Sequence, residues 1–158
     1  MADTVRVVVV GYDNWTEPVL DELDRLETDY TVLVRDEEAA RRAGTRTDAV
    51  LEGVEESSFR QAGIEEASAV LIATQDDRLN VLAVLTARAI DPDIPIVAFA
   101  GENRDVSKLE TAGASAVISL GDVVGEALVE AALTDADRTK ILEQLTGSIT
   151  EGDELGVE

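Results

Sequence analysis

Val5-Arg6-Val7-Val8-Val9-Val10-Gly11-Tyr12-Asp13-Asn14-Trp15-Thr16-Glu17-Pro18 is the stretch whose reading decides the fold. Four consecutive valines show no polar alternation, so the strand they form needs cover on both faces, as in a parallel sheet flanked by helices. Gly11 ends the run. Thr16, Glu17 and Pro18 then supply a capping hydroxyl, an acid for the positive helix end and a proline suited to a first turn. Strand, tight turn and helix in that order open a βαβ unit. In a dinucleotide-binding fold the same turn reads G-x-G-x-x-G: the first glycine turns the chain, the second admits a pyrophosphate, and the third packs helix on sheet. Only Gly11 is kept here, and Asp13 and Thr16 stand at the other two positions. A carboxylate about 4 Å from a phosphate charge costs about 4 kcal/mol at an effective dielectric near 20, and less at molar salt. Pyrophosphate docking is therefore disfavoured. Asp13 is either a structural substitute for the lost anion or part of a site remodelled for another ligand.

The alternation continues along the chain. Strands are predicted at Val5 to Val10, Tyr30 to Val34, Ala49 to Leu51, Ala69 to Ala73, Ile94 to Ala98 and Ala116 to Ser119. Helices are predicted at Pro18 to Leu26, with Thr16 as N-cap, and at Glu37 to Ala43, Ser57 to Ala62, Asp77 to Ile90 and Asn103 to Ala112. Strands alternating with helices predict an α/β fold, a Rossmann-like doubly wound parallel sheet of about six strands. Right-handed crossovers favour the order 3-2-1-4-5-6, with a crevice at the C-terminal ends of strands 1 and 4. After the sixth strand come an apolar-rich helix at Asp122 to Leu133, a short helix at 135–145, and an acidic, glycine-containing tail at 146–158. The expected organisation is thus one domain over residues 1–134, one added helix and a frayed tail.

Composition narrows the chemistry. Cysteine and histidine are both absent from the 158 residues, which removes thiol nucleophiles, Ser-His-Asp triads, His bases and nearly all zinc sites. Acidic residues number 34 against 13 basic ones, for a formal charge of −21. Only Lys108 and Lys140 among the basic residues are lysines. Such a surface repels itself in dilute buffer, whereas at molar salt the Debye length is about 3 Å and the repulsion is screened. A halophilic, cytoplasmic protein from a high-salt cytosol is the economical expectation. No basic stripe exists to replace phosphate counterions, so nucleic acid is excluded as a partner. With no long uncharged apolar run and no basic leader, the chain is expected to be soluble, with no direct membrane insertion.

The candidate site lies at the crevice. Its first loop supplies Gly11, Tyr12, Asp13 and Asn14; strand 2 ends in Arg35 and Asp36; strand 4 is followed by Thr74, Gln75 and, at the start of the next helix, Asn80. NAD-binding domains place an acid at the end of strand 2 for the ribose hydroxyls, and Arg35 there suits a phosphorylated ribose. Arg35 also reads as a surface arginine paired with neighbouring acids, and Asp76 or Asp77 as an N-cap.

Four blocks in register carry a family resemblance: Gly11 after the valine strand; Ala62-Gly63-Ile64-Glu65-Glu66-Ala67; Ala73-Thr74-Gln75-Asp76-Asp77 with Asn80; and Gly113-Ala114-Ser115-Ala116-Val117-Ile118-Ser119. Over Val5 to Leu133 the chain resembles the TrkA-N, RCK or KTN domain of potassium-transport regulators. The resemblance implies a cytosolic regulatory lobe that binds NAD(H), ATP or ADP in the strand 1 to strand 4 crevice. It also implies pairing into a homodimer or higher oligomer through late helices, with a membrane potassium transporter or channel subunit as partner. Carried over by position, Gly11, Asp13, Arg35, Thr74, Gln75 and Asn80 would face the ligand. Departures from the family pattern are Asp13 and Thr16 in the loop and Arg35 after strand 2. Further departures are Leu51-Glu52-Gly53-Val54 where the family has G-D-A-T, and Phe99 where an arginine often follows strand 5. The family's C-terminal lobe has no counterpart after the sixth strand, as expected either of a piece of a longer protein or of a stand-alone subunit.

The leading functional expectation is a non-enzymatic regulatory domain of a potassium uptake or channel system, sensing a nucleotide through an altered site. An NAD(P)-dependent oxidoreductase using Arg35 for a 2′-phosphate is the first alternative. It has no His, and neither Tyr12 nor Tyr30 is followed four residues on by the Lys of a proton-transfer pair. A scaffold that has lost its ligand, and so has no cofactor, is the second. Light scattering in molar KCl tests the oligomer, which rests on apolar residues on more than one face of Asp77 to Ile90 and of Asp122 to Leu133.

Overall fold

A computed structural model describes residues 4–44, 49–51, 53–133, 140 and 143. The expected 135–145 helix and 146–158 tail lie outside these residues, apart from 140 and 143. The chain divides into two compact units, Met1–Ser119 and Leu120–Glu158.

The first unit holds six strands: β1 (Arg6–Val10), β2 (Asp29–Val34), β3 (Ala49–Leu51), β4 (Ala69–Ile72), β5 (Ile96–Ala100) and β6 (Ala116–Ser119). Its helices are α1 (Thr16–Arg25), α2 (Glu37–Ala43), α3 (Glu56–Gln61), α4 (Asp77–Ile90) and α5 (Val106–Ala112). All pairings among the six strands are parallel, in the order β3-β2-β1-β4-β5-β6. Val10 pairs with Leu33 on one side and Ile72 on the other, so the loops after β1, β2 and β4 leave the sheet side by side at the point where strand order reverses.

The valine run behaves as its lack of alternation predicts. Val8 and Val10 join Phe59, Ile72, Val84, Ile96 and Leu109 on one face. Val7 and Val9 join Leu20, Leu23, Tyr30 and Val32 on the other. Each fully buried valine of this kind stabilises the fold by about 1.5 to 3 kcal/mol.

Several element boundaries differ from expectation by one to three residues, and three of the differences have local reasons. Helix α1 begins at Thr16 with Trp15 as the cap residue, so Thr16 is not the N-cap; its hydroxyl accepts from Asp13 N at 3.0 Å and donates to the Ala73 carbonyl at 3.3 Å. Pro18 still falls in the first turn, where its missing N–H costs nothing. Strand β5 begins and ends two residues later than expected. The Asp91 carboxylate occupies the Asp93 and Ile94 N–H groups in an Asx turn, and Pro95 has no N–H to give. The helix expected over Asn103 to Ala112 starts as a single 3₁₀ turn, Asn103–Asp105, before α5.

The second unit contains α6 (Leu120–Leu133), which carries no buried residue among those described. Among the described residues no helix is long and apolar enough to cross a membrane.

Candidate functional site

A cleft of about 440 Å³ opens over the C-terminal ends of β1, β2 and β4. Seven of the nine predicted site residues line it: Gly11, Tyr12, Asp13, Arg35, Asp36, Thr74 and Gln75.

Gly11 makes the turn that creates the opening. Its φ is +99°, and a Cβ there would stand 2.3 Å from Thr74 Cγ2 and 3.3 Å from the Ala73 carbonyl oxygen. Its N–H is spent on the Leu33 carbonyl at 2.8 Å, which fastens the loop to β2. Only glycine meets both the backbone and the space requirement.

Asp13 then decides what the cleft can hold. Oδ1 accepts from Trp15 N at 3.1 Å and Oδ2 from Gln75 N at 3.0 Å. One carboxylate thus bridges the loops after β1 and β4, using N–H groups of the kind that a helix N-terminus and its neighbouring loop offer to a bound anion. Thr16 braces the arrangement through its bonds to Asp13 N and the Ala73 carbonyl. Those two N–H groups are thus satisfied from within the chain.

Tyr12 packs into the core of the α1–α2 face, donates its hydroxyl to Glu17 Oε1, and lies under the Arg42 guanidinium, 5.4 Å from ring to cation. Arg35 and Asp36 leave β2 in different directions of use. Arg35 pairs with Asp76 at 3.7 Å with both side chains over half exposed, a weak surface pair. Asp36 caps α2, accepting from Ala39 N at 2.7 Å. Asp76 caps α4 through bonds from Arg78 N and Leu79 N, both 3.1 Å, as its position before the long helix suggests.

Thr74 and Asn80 form a small closed network. Thr74 Oγ1 donates to Asn80 Oδ1 at 2.5 Å, while Asn80 Nδ2 donates to the Thr74 carbonyl at 2.9 Å and the Phe99 carbonyl at 3.1 Å. Asn80 is fully buried and ties the ends of β4 and β5 together rather than lining the cleft. Asn14 is exposed and also lies outside the cleft lining. Phe99 falls inside β5, not after it, and its ring stacks on Trp15 with centroids 6.2 Å apart.

Sequence reasoning missed the apolar wall. Ala39, Gly53, Val54 and Leu79 line the cleft, together with Leu33 and Val34. The signal for Gly53 and Val54 is their place just after β3, at the same sheet edge as Gly11 and Arg35. The Asp77 carboxyl is held above the ordinary carboxylate range, first by burial and then by the neighbouring Asp105 carboxyl. Asp105 lies below that range because Lys108 Nζ bonds it at 3.0 Å.

The sequence model of the TrkA-N domain matches residues 7–120. Over 64 residues, 40% of this chain and 19% of the relative, the sequence is 38% identical to the probable potassium channel protein 2 of Methanocaldococcus jannaschii. The chain spans only about a tenth to a fifth of the curated relatives it matches. Among solved structures, the TrkA-N domain of the inner membrane protein ybaL from Escherichia coli superposes with a TM-score of 0.74 at 21% identity, over 82% of this chain and 98% of that one. The GsuK protein bound to ADP superposes with a TM-score of 0.67 at 26% identity, over 82% of this chain and 34% of that one.

Proposed function

The chain belongs to the TrkA-N domain family, and on that premise we propose that it is a non-enzymatic regulatory domain of a potassium uptake or channel system. In this reading the crevice takes an adenine nucleotide or a related ligand through an altered site. The observation that carries the reading is the cleft itself: apolar on the Val54 and Leu79 side, polar at Asp13, Thr74 and Gln75, and open at the strand-order switch. A few placed polar groups on an otherwise apolar concavity are the ordinary makings of a small-molecule site. The stretch similar to an archaeal potassium channel protein supports the transport link, and the similar GsuK structure with ADP supports the ligand class.

Pairing with a second copy and docking on a membrane transporter or channel subunit belong to the same proposal. Leu82 and Leu85 on α4 are 51% and 49% exposed. On α6, Val123, Leu128 and Leu133 are 53%, 63% and 79% exposed. Apolar surface of that extent favours burial against a partner. The acidic surface, −21 in formal charge, supports a cytoplasmic setting at high salt, where its self-repulsion is screened.

An oxidoreductase is the weaker reading, because the Tyr12 hydroxyl is committed to Glu17 and the sequence offers no His or Cys to move a proton. A ligand-free scaffold is favoured by one observation, the occupation of the anion position by Asp13. Titrations of NAD(H), NADP(H), ATP and ADP into the chain at molar KCl separate the three readings. Saturable, weak binding without turnover is expected. Oxidation of bound NAD(P)H by a carbonyl compound would establish the enzyme, and no binding by any of them would favour the scaffold.

A further inference from the structure

We infer that the cleft selects a phosphate-free nucleoside of the adenosine type over the corresponding nucleotides, with the Asp13 carboxylate as the selecting group. The inference rests on the reading of the cleft as an adenine site and narrows the class of ligand it takes.

The two halves of the cleft differ in what they leave open. At the β1–β4 end, both Asp13 oxygens are engaged, with Trp15 N at 3.1 Å and Gln75 N at 3.0 Å, and the Asp13 N–H is held by Thr16 Oγ1 at 3.0 Å. A phosphate seeking those N–H groups would have to break two charge-assisted bonds and then share the site with the displaced carboxylate. Molar salt screens charges separated by solvent far better than two anions brought into contact. At the β2–β3 end the lining is apolar, from Leu33, Val34, Ala39 and Val54, and Leu79 at the start of α4 adds to it, a surface on which a base can lie. Asp36 accepts from Ala39 N through Oδ1, and a carboxylate accepts at both oxygens, so the group beside this wall can receive a ribose hydroxyl. Among the described residues of the lining Arg35 is the one cation, and it faces Asp76 at 3.7 Å. Base and ribose thus meet complementary surface, and phosphate meets a carboxylate.

Calorimetric titration of adenosine, AMP, ADP and NAD into the full chain at molar KCl, repeated with Asp13→Asn and Asp13→Ala, tests this. The expected result is adenosine binding at least tenfold more tightly than ADP or NAD to the wild type. In both variants ADP should gain tenfold or more while adenosine changes less than threefold. ADP or NAD binding the wild type as tightly as adenosine would overturn the selectivity and leave the adenine site standing. Equal gains for adenosine and ADP in the variants would also overturn it. Absence of binding by all four ligands to wild type and variants alike would overturn the adenine reading itself. Should neither variant fold, the wild-type ratio of adenosine to ADP decides alone.

Discussion

At the C-terminal edge of the sheet one carboxylate, Asp13, collects the N–H groups of Trp15 and Gln75, while at the N-terminal edge one guanidinium, Arg88, collects carbonyls. Arg88 donates to Gly113 O at 2.7 and 3.0 Å, to Ile94 O at 2.7 Å and to Pro92 O at 2.8 Å, with a longer bond to Asp91 O at 3.3 Å. Both groups answer the same need, since loops leaving a parallel sheet carry backbone groups without strand partners. Their surroundings separate them. Arg88 is packed against Gly113, where an added Cβ would stand 3.1 Å from Arg88 Cγ, and it joins the end of α4 to the entries of β5 and β6. Asp13 lies in an open cleft. The same device is a lock at one edge and, at the other, an occupant that a ligand can meet.

The sharpest way to break the upper edge is Gly11→Ala. A left-handed φ and a 2.3 Å approach to Thr74 Cγ2 combine backbone strain with overpacking. We expect a loss of about 4 kcal/mol, measured by denaturant unfolding at molar KCl. A loss below about 1 kcal/mol would mean that the turn relaxes freely. Breaking the lower edge with Arg88→Ala should cost about 3 kcal/mol, because several carbonyls lose their donor at once. It should leave ligand binding in the cleft unchanged, since Arg88 and the cleft occupy opposite edges; a binding change of tenfold would contradict that separation.

A smaller effect with a distinct pH signature is expected at Asp77. Its carboxyl is raised above 3.8 by burial and by Asp105. The protonated form is thus favoured by folding, and the stability it contributes is full below pH 3.8 and lost as pH rises through the raised folded value. Asp105, lowered chiefly by Lys108, contributes in the opposite sense: its stabilisation is present above 3.8 and lost as pH falls. Asp77→Asn should therefore be more stable than wild type at neutral pH, with the difference shrinking on acidification. A difference that grew toward acid pH in thermal melts would have the wrong sign.

The smallest effect is expected for Arg35→Ala, within about 0.5 kcal/mol, because the Arg35–Asp76 pair is exposed on both sides. A larger loss in the melts would give Arg35 a role in the fold that its geometry does not suggest.

The sequence made the sheet legible because its signals are local and repeated. Four valines without alternation, Gly11 after them, and Asp76 before a long helix each carry their meaning within a few residues, and the structure uses them in that way. Asp36, expected at the cleft, also caps α2. The cleft lining was legible where a loop position alone decides, as at Gly11, Asp13 and Gln75. It was not legible where a side chain's direction depends on distant chain. Asn80 occupies the first turn of α4, and its amide turns inward to the Thr74 carbonyl and to the distant Phe99 carbonyl. Thr16 has the composition of a cap, yet the Ala73 carbonyl, 57 residues away, draws its hydroxyl into the fold. Nothing near Arg88 in sequence announces that the Gly113 carbonyl will lie within its reach.

The claim on which the account turns is that the Asp13 carboxylate already holds the N–H groups an anionic ligand would need. Amide NMR spectra recorded during an ADP titration at molar KCl test it directly, in wild type and in Asp13→Ala. The account predicts that the Trp15 and Gln75 amide signals of the wild type stay in place. In the variant, the same two signals should move with ADP as a phosphate takes up the freed N–H groups. Movement of both signals in the wild type as large as in the variant would contradict it.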